Sequence, residues 1–243
     1  MGEKGEGAGN IQEVAKKLAE ESGAEVEALF DDNTRMAFIT AGMGGGTGTG
    51  AAPVVARIAK EKGVLTVGIV TIPFLFEGEP KILQAFAGVE EMRKHVDALL
   101  VINNERLCKI YPDLSWTTAF AKADDSLSNA ARSIAELVSK DGKINLDFAD
   151  VRTTLKDGGA AVISTGSGEG EHRMSRAIQN ALTSPLVKES DISVAEGVLF
   201  NLYSSPVQGE DSRILVPYAM RMFRLRFYSI AEVFWVDHLH SLL

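Results

Sequence analysis

The segment GMGGGTGTG at residues 42–50 is dominated by glycine and carries two hydroxyl side chains. Because glycine has no Cβ, such a backbone can turn several N–H groups toward a phosphate at close range, and Thr47 and Thr49 add hydroxyl donors. The segment is not a Walker A loop, since no Lys-Ser/Thr pair follows the glycines, and its spacing does not fit G-x-G-x-x-G. We interpret it as a phosphate-binding loop of another type, with a flexible loop that binds nothing as the alternative.

A second pattern with possible chemistry is NLDFADV at residues 145–151. Asp147 and Asp150 are three residues apart at the expected start of a helix, where they share one face and can polarise a water molecule. The same spacing also suits ordinary helix capping. On spacing alone, capping is the simpler interpretation.

Alternating elements position the glycine-rich segment. Short apolar runs that look like strands buried on both faces alternate with helical patterns. The predicted strands are MAFITA (36–41), VLTVGIV (64–70) and DALLVI (97–102), and the predicted helices are 11–30, broken near Gly23, 51–62 and 81–94. This order predicts an α/β fold with a Rossmann-like parallel sheet and right-handed crossovers.

The second half of the chain begins with a long helix at about 115–140. Beyond a polar loop, we predict a strand at 160–165, a helix at 172–182 and a strand ending near 203, which together start a second α/β domain. We therefore divide the chain into a nucleotide-binding domain with the long helix (1–140), a loop and the start of a second domain (141–205), and a tail (206–243).

Composition excludes several classes of protein. Of the 243 residues, 25 are Lys or Arg and 33 are Asp or Glu, so the net charge of −8 argues against a nucleic-acid partner. The lone cysteine, Cys108, is interpreted as a packing residue and favours a reducing compartment. With no apolar run of about 18 residues and no signal peptide, we expect a cytoplasmic protein without direct membrane insertion. We predict no metal site from protein ligands alone, and the HLH triplet at 238–240 is a weak candidate.

GGGTGTG followed by AAPVVARIAKE resembles the signature of the tubulin/FtsZ superfamily, and the flanking sequence is similar to its bacterial cell-division GTPases. The resemblance runs from about Gly7 to about Ser205. It implies a GTPase domain, a long central helix and a second domain, with GTP or GDP as ligand and Mg²⁺ held mainly through the phosphates. It also implies head-to-tail filaments of the bacterial division ring at mid-cell, and other cell-division proteins as partners.

The resemblance assigns roles to individual residues. Around the phosphates it implies Gly7, Ala8, Gly9, Asn10, Gly44, Gly45, Gly46, Thr47, Gly48, Thr49 and Gly50. Glu77 falls near the ribose, and Lys81 stands where many members have arginine, so the bidentate fork is lost. Asn104 would read the guanine, Phe120 would stack on it, and Asp125 would accept its N1–H and N2–H₂ donors, with Asp124 as the register alternative.

The resemblance also reverses the interpretation of NLDFADV. In the family this loop enters the nucleotide site of the adjacent subunit, so Asp147 and Asp150, together with Asn145, would orient and activate the attacking water. Phosphoryl transfer requires mainly positioning and charge stabilisation, so these groups and a phosphate-bound Mg²⁺ would suffice.

The sequence departs from the family at both ends. Nothing corresponds to the family's first strand and the glycine-rich turn after it, so we expect MAFITA at an open sheet edge and weaker GTP binding than in a complete homologue. In the tail, four arginines, six aromatics and no lysine follow Pro206. It is interpreted as a divergent end pairing as a strand around 221–228, as an amphipathic membrane-binding segment, or as translation past a frameshift. The abrupt change of composition favours the third.

Two alternative functions follow. A fragment that keeps Asp147 and Asp150 but lacks part of its own phosphate site could be a non-catalytic protein that caps intact filaments. A nicotinamide-dependent oxidoreductase fits the α/β pattern, but the sequence lacks the G-x-G-x-x-G turn and the acidic residue expected after the second strand.

Overall fold

The structure is a computed structural model that describes residues 7–111, 115–139, 147–169, 172–183, 197–199 and 233–237. The chain divides into two compact units, Met1–Ala131 and Arg132–Leu243. In the described residues the helices are α1 Gln12–Glu21, α2 Gly23–Glu27, α3 Gly46–Glu61, α4 Glu79–Arg93, α5 Asn104–Ile110, α6 Trp116–Ser139, α7 Phe148–Leu155 and α8 Arg173–Leu182. The strands are β1 Met36–Gly42, β2 Leu65–Ile72, β3 Ala98–Asn103, β4 Gly159–Ser164, β5 Gly197–Leu199 and β6 Val233–Asp237.

The first unit contains the predicted parallel sheet. β1 pairs with β2 and β2 pairs with β3, both in parallel. α3 connects the first pair of strands and α4 lies on the connection between the second pair, as right-handed crossovers require. A core cluster that includes Ile39, Val70, Leu99 and Met92 packs the sheet against these two helices. The α/β prediction is confirmed, and the carboxyl ends of the strands point to one edge where ligands bind in such folds.

β1 differs from the prediction of a strand buried on both faces. All eight residues of β2 are buried, whereas Ile39 alone is buried in β1, and Thr40 and Gly42 are exposed. The reason is position, because β2 lies between two strands and β1 has β2 as its one partner among the described strands. The expectation of MAFITA at an open edge describes this strand better.

α3 begins five residues earlier than predicted, inside the glycine-rich segment, at Gly46 rather than Ala51. Glycine disfavours helix interiors, which is why sequence places the start too late. Here close packing requires it. A Cβ on Gly48 would collide with the Gly42 carbonyl oxygen, and one on Gly50 with the Gln12 carbonyl oxygen at the start of α1.

The second unit carries an antiparallel arrangement. β6 pairs with both β4 and β5, and α8 lies against the loop after β4, where Gly166 approaches the α8 backbone. The tail strand suggested by sequence, 221–228, lies outside the described residues, and the described strand of the tail is β6. In the described part of the chain, no helix has the length and hydropathy needed to cross a bilayer.

Candidate functional site

The loop between β1 and α3 is tightly held. Gly44 has a φ of +99°, and a Cβ there would lie 2.7 Å from Pro73 Cγ and 2.8 Å from the Lys81 carbonyl oxygen. Its N–H donates to Thr49 Oγ1 at 2.9 Å. Gly45 follows in an extended conformation as the N-cap of α3, with no side chain capping the helix and no acidic residue in its first turn. An uncapped helix N-terminus with free amides favours an anion.

A second loop, Ala8–Asn10, lies against this helix start. Gly9 and Asn10 both have positive φ values, +56° and +65°, and the Ile11 N–H donates to the Ala8 carbonyl oxygen at 2.9 Å. The loop packs directly on Gly46, where a Cβ would lie 2.8 Å from Ala8 Cβ. The structure therefore brings together the two segments that were predicted to contact phosphates.

The two threonines of the first loop are placed differently. Thr47 is exposed, whereas Thr49 is only 3% exposed and its hydroxyl accepts the hydrogen bond from Gly44. The buried Thr49 therefore stabilises the loop through its hydrogen bond with Gly44, whereas the side chain of Thr47 is exposed to solvent.

Glu77, predicted near the ribose, and Lys81, which stands where many family members have arginine, form a pair one helical turn apart. Lys81 Nζ lies 3.3 Å from Glu77 Oε2, while Glu77 Oε1 accepts the Phe74 N–H at 3.0 Å. Both carboxylate oxygens of Glu77 are therefore engaged within the 3₁₀ turn Leu75–Glu77 and the start of α4. The Lys81 carbonyl oxygen lies close to the Cβ position of Gly44, so the start of α4 lies beside the loop between β1 and α3.

Asn104 is the most informative of the predicted base contacts. It is 5% exposed, and its Oδ1 has no hydrogen-bond partner. Its neighbour Asn103 caps α5 by accepting the Glu105 N–H at 2.9 Å, so capping does not require Asn104. Because a buried unpaired acceptor is costly, an unsatisfied amide oxygen here is expected to await a ligand.

Phe120 lies at the surface rather than in the core. It is 44% exposed and meets Phe74 edge to face, with ring centroids 5.3 Å apart. Phe76, 42% exposed, stacks on Phe74 at 4.9 Å and also meets Phe120 edge to face. Sequence reasoning did not predict this aromatic cluster of Phe74, Phe76 and Phe120, although the spacing in PFLF was visible.

Helix geometry separates the two candidate carboxylates. Residues four apart on a helix share a face, so Asp124 lies on the face of Phe120 and Asp125 is turned away from it. Asp125 pairs instead with Lys122, at 3.4 Å. Both aspartates are exposed. The geometry therefore favours Asp124 over Asp125 as the carboxylate for the guanine edge.

The acidic motif occupies the start of α7. Asp147 is the N-cap, and its carboxylate accepts the Ala149 N–H at 3.4 Å. Among the described residues, the Asp150 carboxylate makes no hydrogen bond or ion pair. Val151 and Leu155 anchor the helix in the core of the second unit. The capping interpretation thus holds for Asp147, while Asp150 is available for chemistry. Asn145 lies outside the described residues.

Cys108 and the possible metal ligands were the weaker candidates for a functional role. Cys108 packs against Phe74, Leu107, Ala119 and Ala123, and burial, with Glu105 nearby, raises the pKa of its thiol. In the described residues, no group of three or more His, Cys, Asp or Glu side chains is arranged to hold a metal ion. The HLH triplet lies outside them.

Comparison with known proteins agrees with this arrangement. Residues 1–112 match the family model for the Tubulin/FtsZ family GTPase domain, and residues 159–209 match that for the FtsZ family C-terminal domain. The chain is 66% identical over 200 residues to the cell division protein FtsZ of Porphyromonas gingivalis, covering 82% of this chain and 44% of that protein. It is 46% identical over 214 residues to cell division protein FtsZ 1 of Thermococcus kodakarensis, covering 88% and 57%.

Solved structures give the same result. The empty FtsZ dimer of M. jannaschii superposes with a TM-score of 0.87 and 37% identity, covering 98% of this chain and 73% of that one. The chain spans about half the length of the curated relatives it matches.

Proposed function

The chain belongs to the tubulin/FtsZ family, and we propose that it is a GTP-binding subunit of a bacterial cell-division filament that hydrolyses GTP where consecutive subunits meet. The observation that carries the proposal is the meeting of two phosphate loops at the uncapped N-terminus of α3. High identity to division proteins favours a filament subunit over a capping fragment. Cytoplasmic location at mid-cell and contacts with other division proteins belong to the same proposal.

Phosphate binding would use backbone amides. Gly9, Asn10, Gly45, Gly46 and Thr47 line the two loops, and the dipole of α3 adds a favourable potential for the phosphates. Because no acidic side chain lies in the first turn of α3, a Mg²⁺ ion would be held mainly through the phosphates, whose charge it would partly neutralise. The protein's own part is to fix the phosphate chain in place.

Guanine recognition would use the unpaired Asn104 and the exposed ring of Phe120. A base stacked on Phe120 would cover an aromatic surface that is otherwise in water. The Asp124 carboxylate, on the same face, would accept the two donors of the guanine edge, which adenine does not present. Glu77 and Lys81 lie beside the phosphate loop, where the ribose would follow.

Hydrolysis would use the acidic motif of the neighbouring subunit. Asp150 would polarise the attacking water, and Asp147 would add a second carboxylate while capping α7. Asn145 is proposed to help position the water. No covalent nucleophile is needed, because the reaction depends on positioning and charge stabilisation.

The test combines binding with turnover. Calorimetry should show that the purified chain binds GDP and GTP but not ADP. A phosphate-release assay should then show GTP hydrolysis that Asp147→Ala and Asp150→Ala each reduce. If the wild-type chain hydrolyses GTP and both variants do so equally well, the assignment of the water-activating residues is wrong. If the chain binds adenine and guanine nucleotides alike, the guanine site is wrong.

A further inference from the structure

One side chain of α4 bridges the two phosphate loops. Gln84 Nε2 donates to the carbonyl oxygen of Gly45 at 3.2 Å and to that of Asn10 at 3.5 Å. Gly45 is the N-cap of α3, and Asn10 ends the loop before α1. The half-buried amide of Gln84 therefore joins loops that are far apart in the sequence.

These bonds determine which backbone groups face outward. In a trans peptide, the carbonyl of one residue and the N–H of the next point in opposite directions. Holding the Gly45 carbonyl toward α4 therefore turns the N–H of Gly46, the first residue of α3, the other way. The Asn10 peptide is fixed at both ends, because the following N–H, that of Ile11, donates to the Ala8 carbonyl oxygen at 2.9 Å.

We propose that Gln84 is a positioning residue for the phosphate chain of the nucleotide. By holding the carbonyl oxygens of Gly45 and Asn10, it keeps two partial negative charges away from the phosphates and leaves the Gly46 N–H facing the anion. This inference rests on the proposed function, because it assumes that the two loops bind phosphates. It assigns Gln84 to the phosphates and not to the base, which contacts other residues.

The chemistry of the amide suits this role. Both of its bonds use the NH₂ group, which offers two donors without charge. A carboxylate of the same shape can only accept, so Gln84→Glu would repel both carbonyls and add a negative charge beside the phosphates. Gln84→Ala would remove the bridge without adding charge.

Calorimetry with GDP and with guanosine tests the inference, since guanosine lacks the phosphates. Gln84→Ala should weaken GDP binding by about fivefold, the effect of one or two neutral hydrogen bonds. Gln84→Glu should weaken it by more than about tenfold, because repulsion is added to the lost bonds. Guanosine affinity should stay within about twofold of the wild type in both variants, a bound below one net hydrogen bond. Gln179→Glu, at an exposed position of α8, makes the same charge change elsewhere and should alter neither affinity.

Unchanged GDP affinity in both Gln84 variants, or equal losses for GDP and guanosine, would overturn the inference. Hydrogen exchange on the nucleotide-free chain gives an independent readout. Amides of residues 9–11 and 44–47 should exchange faster in Gln84→Ala than in the wild type, and unchanged exchange would also overturn it. A wild-type chain that binds neither ligand would refute the proposed function, and the exchange result would still decide whether Gln84 fixes the loops.

Discussion

The phosphate loops of the first unit and the acidic motif of the second differ in how strictly the surrounding structure fixes them. Gly44, Gly46, Gly48 and Gly50 each have a neighbour where a Cβ would stand. Asp147, in contrast, is exposed and held by one long capping bond of 3.4 Å. A surface that must hold a ligand is fixed by backbone contacts. A group that acts on a ligand held elsewhere needs only a rigid base, which α7 provides.

The largest expected effect is on turnover. Asp150→Ala should lower the GTP hydrolysis rate by about 10²- to 10⁴-fold, the usual contribution of a general base, because the carboxylate that polarises the water is lost. GDP affinity, measured by calorimetry, should not change.

Glu25→Ala, at an exposed position of α2, removes a carboxylate far from the acidic motif in the sequence and serves as the control. A variant at Asp150 that loses nucleotide binding along with turnover would contradict the separation of the two regions.

The next effect is on binding. Gly44→Ala places a Cβ against Pro73 and the Lys81 carbonyl oxygen at a φ of +99°. Backbone strain and overpacking together cost about 3 kcal/mol, so GDP affinity should fall by about two orders of magnitude.

Gly63→Ala is the matched control, since Gly63 also has a positive φ, +76°, but nothing lies within 4 Å of its Cβ position. It should cost about 1 kcal/mol of stability, the strain of a left-handed residue, and leave GDP affinity unchanged. Equal binding losses in the two variants would show that conformation, not packing, governs the loop.

A smaller effect separates two adjacent amides. Asn104→Ala should weaken GDP binding by about tenfold, the loss expected when a polar partner of the base is removed, without lowering the unfolding midpoint of the free protein. The free energy of unfolding of the Asn104→Ala variant should not fall, because the substitution removes a buried acceptor that has no hydrogen-bond partner and is itself destabilising.

Asn103→Ala should behave in the opposite way, losing about 1 kcal/mol of stability through the α5 cap and keeping its GDP affinity. Thermal unfolding and calorimetry on both variants check this. A destabilised Asn104 variant with intact binding would make Asn104 a structural residue.

The smallest effect distinguishes the two roles of Asp147. Asparagine caps helices as well as aspartate, so Asp147→Asn should keep the stability of α7 while Asp147→Ala loses about 1 kcal/mol. Chemical denaturation measures this difference. Both variants should reduce turnover, because both remove the charge. If Asp147→Asn retains full GTP hydrolysis, the function of Asp147 is capping alone.

Sequence reasoning predicted the parallel sheet, the long helix and the segments that form the phosphate loops. The apolar pattern alone did not distinguish β1 from β2, because both runs are apolar and the number of neighbouring strands is a property of the whole sheet. The open edge of β1 was predicted from the family resemblance, through the first strand that has no counterpart here. It also missed Gln84, since a single glutamine on a helix carries no pattern. Its preference for Asp125 over Asp124 came from the family resemblance, whereas the helical position of Phe120 favours Asp124.

The outer edge of β1 is a surface through which two chains could associate, and such association would change measured affinities and rates. Among the described strands it has one partner, so within the described residues one row of its backbone N–H and C=O groups has no strand beside it and could pair with another molecule. Such self-association depends on encounters between two chains, whereas nucleotide uptake by each chain does not. Dilution series therefore separate the two. An apparent affinity or rate that drifts with protein concentration reports contact between chains, and one that stays constant reports the nucleotide site.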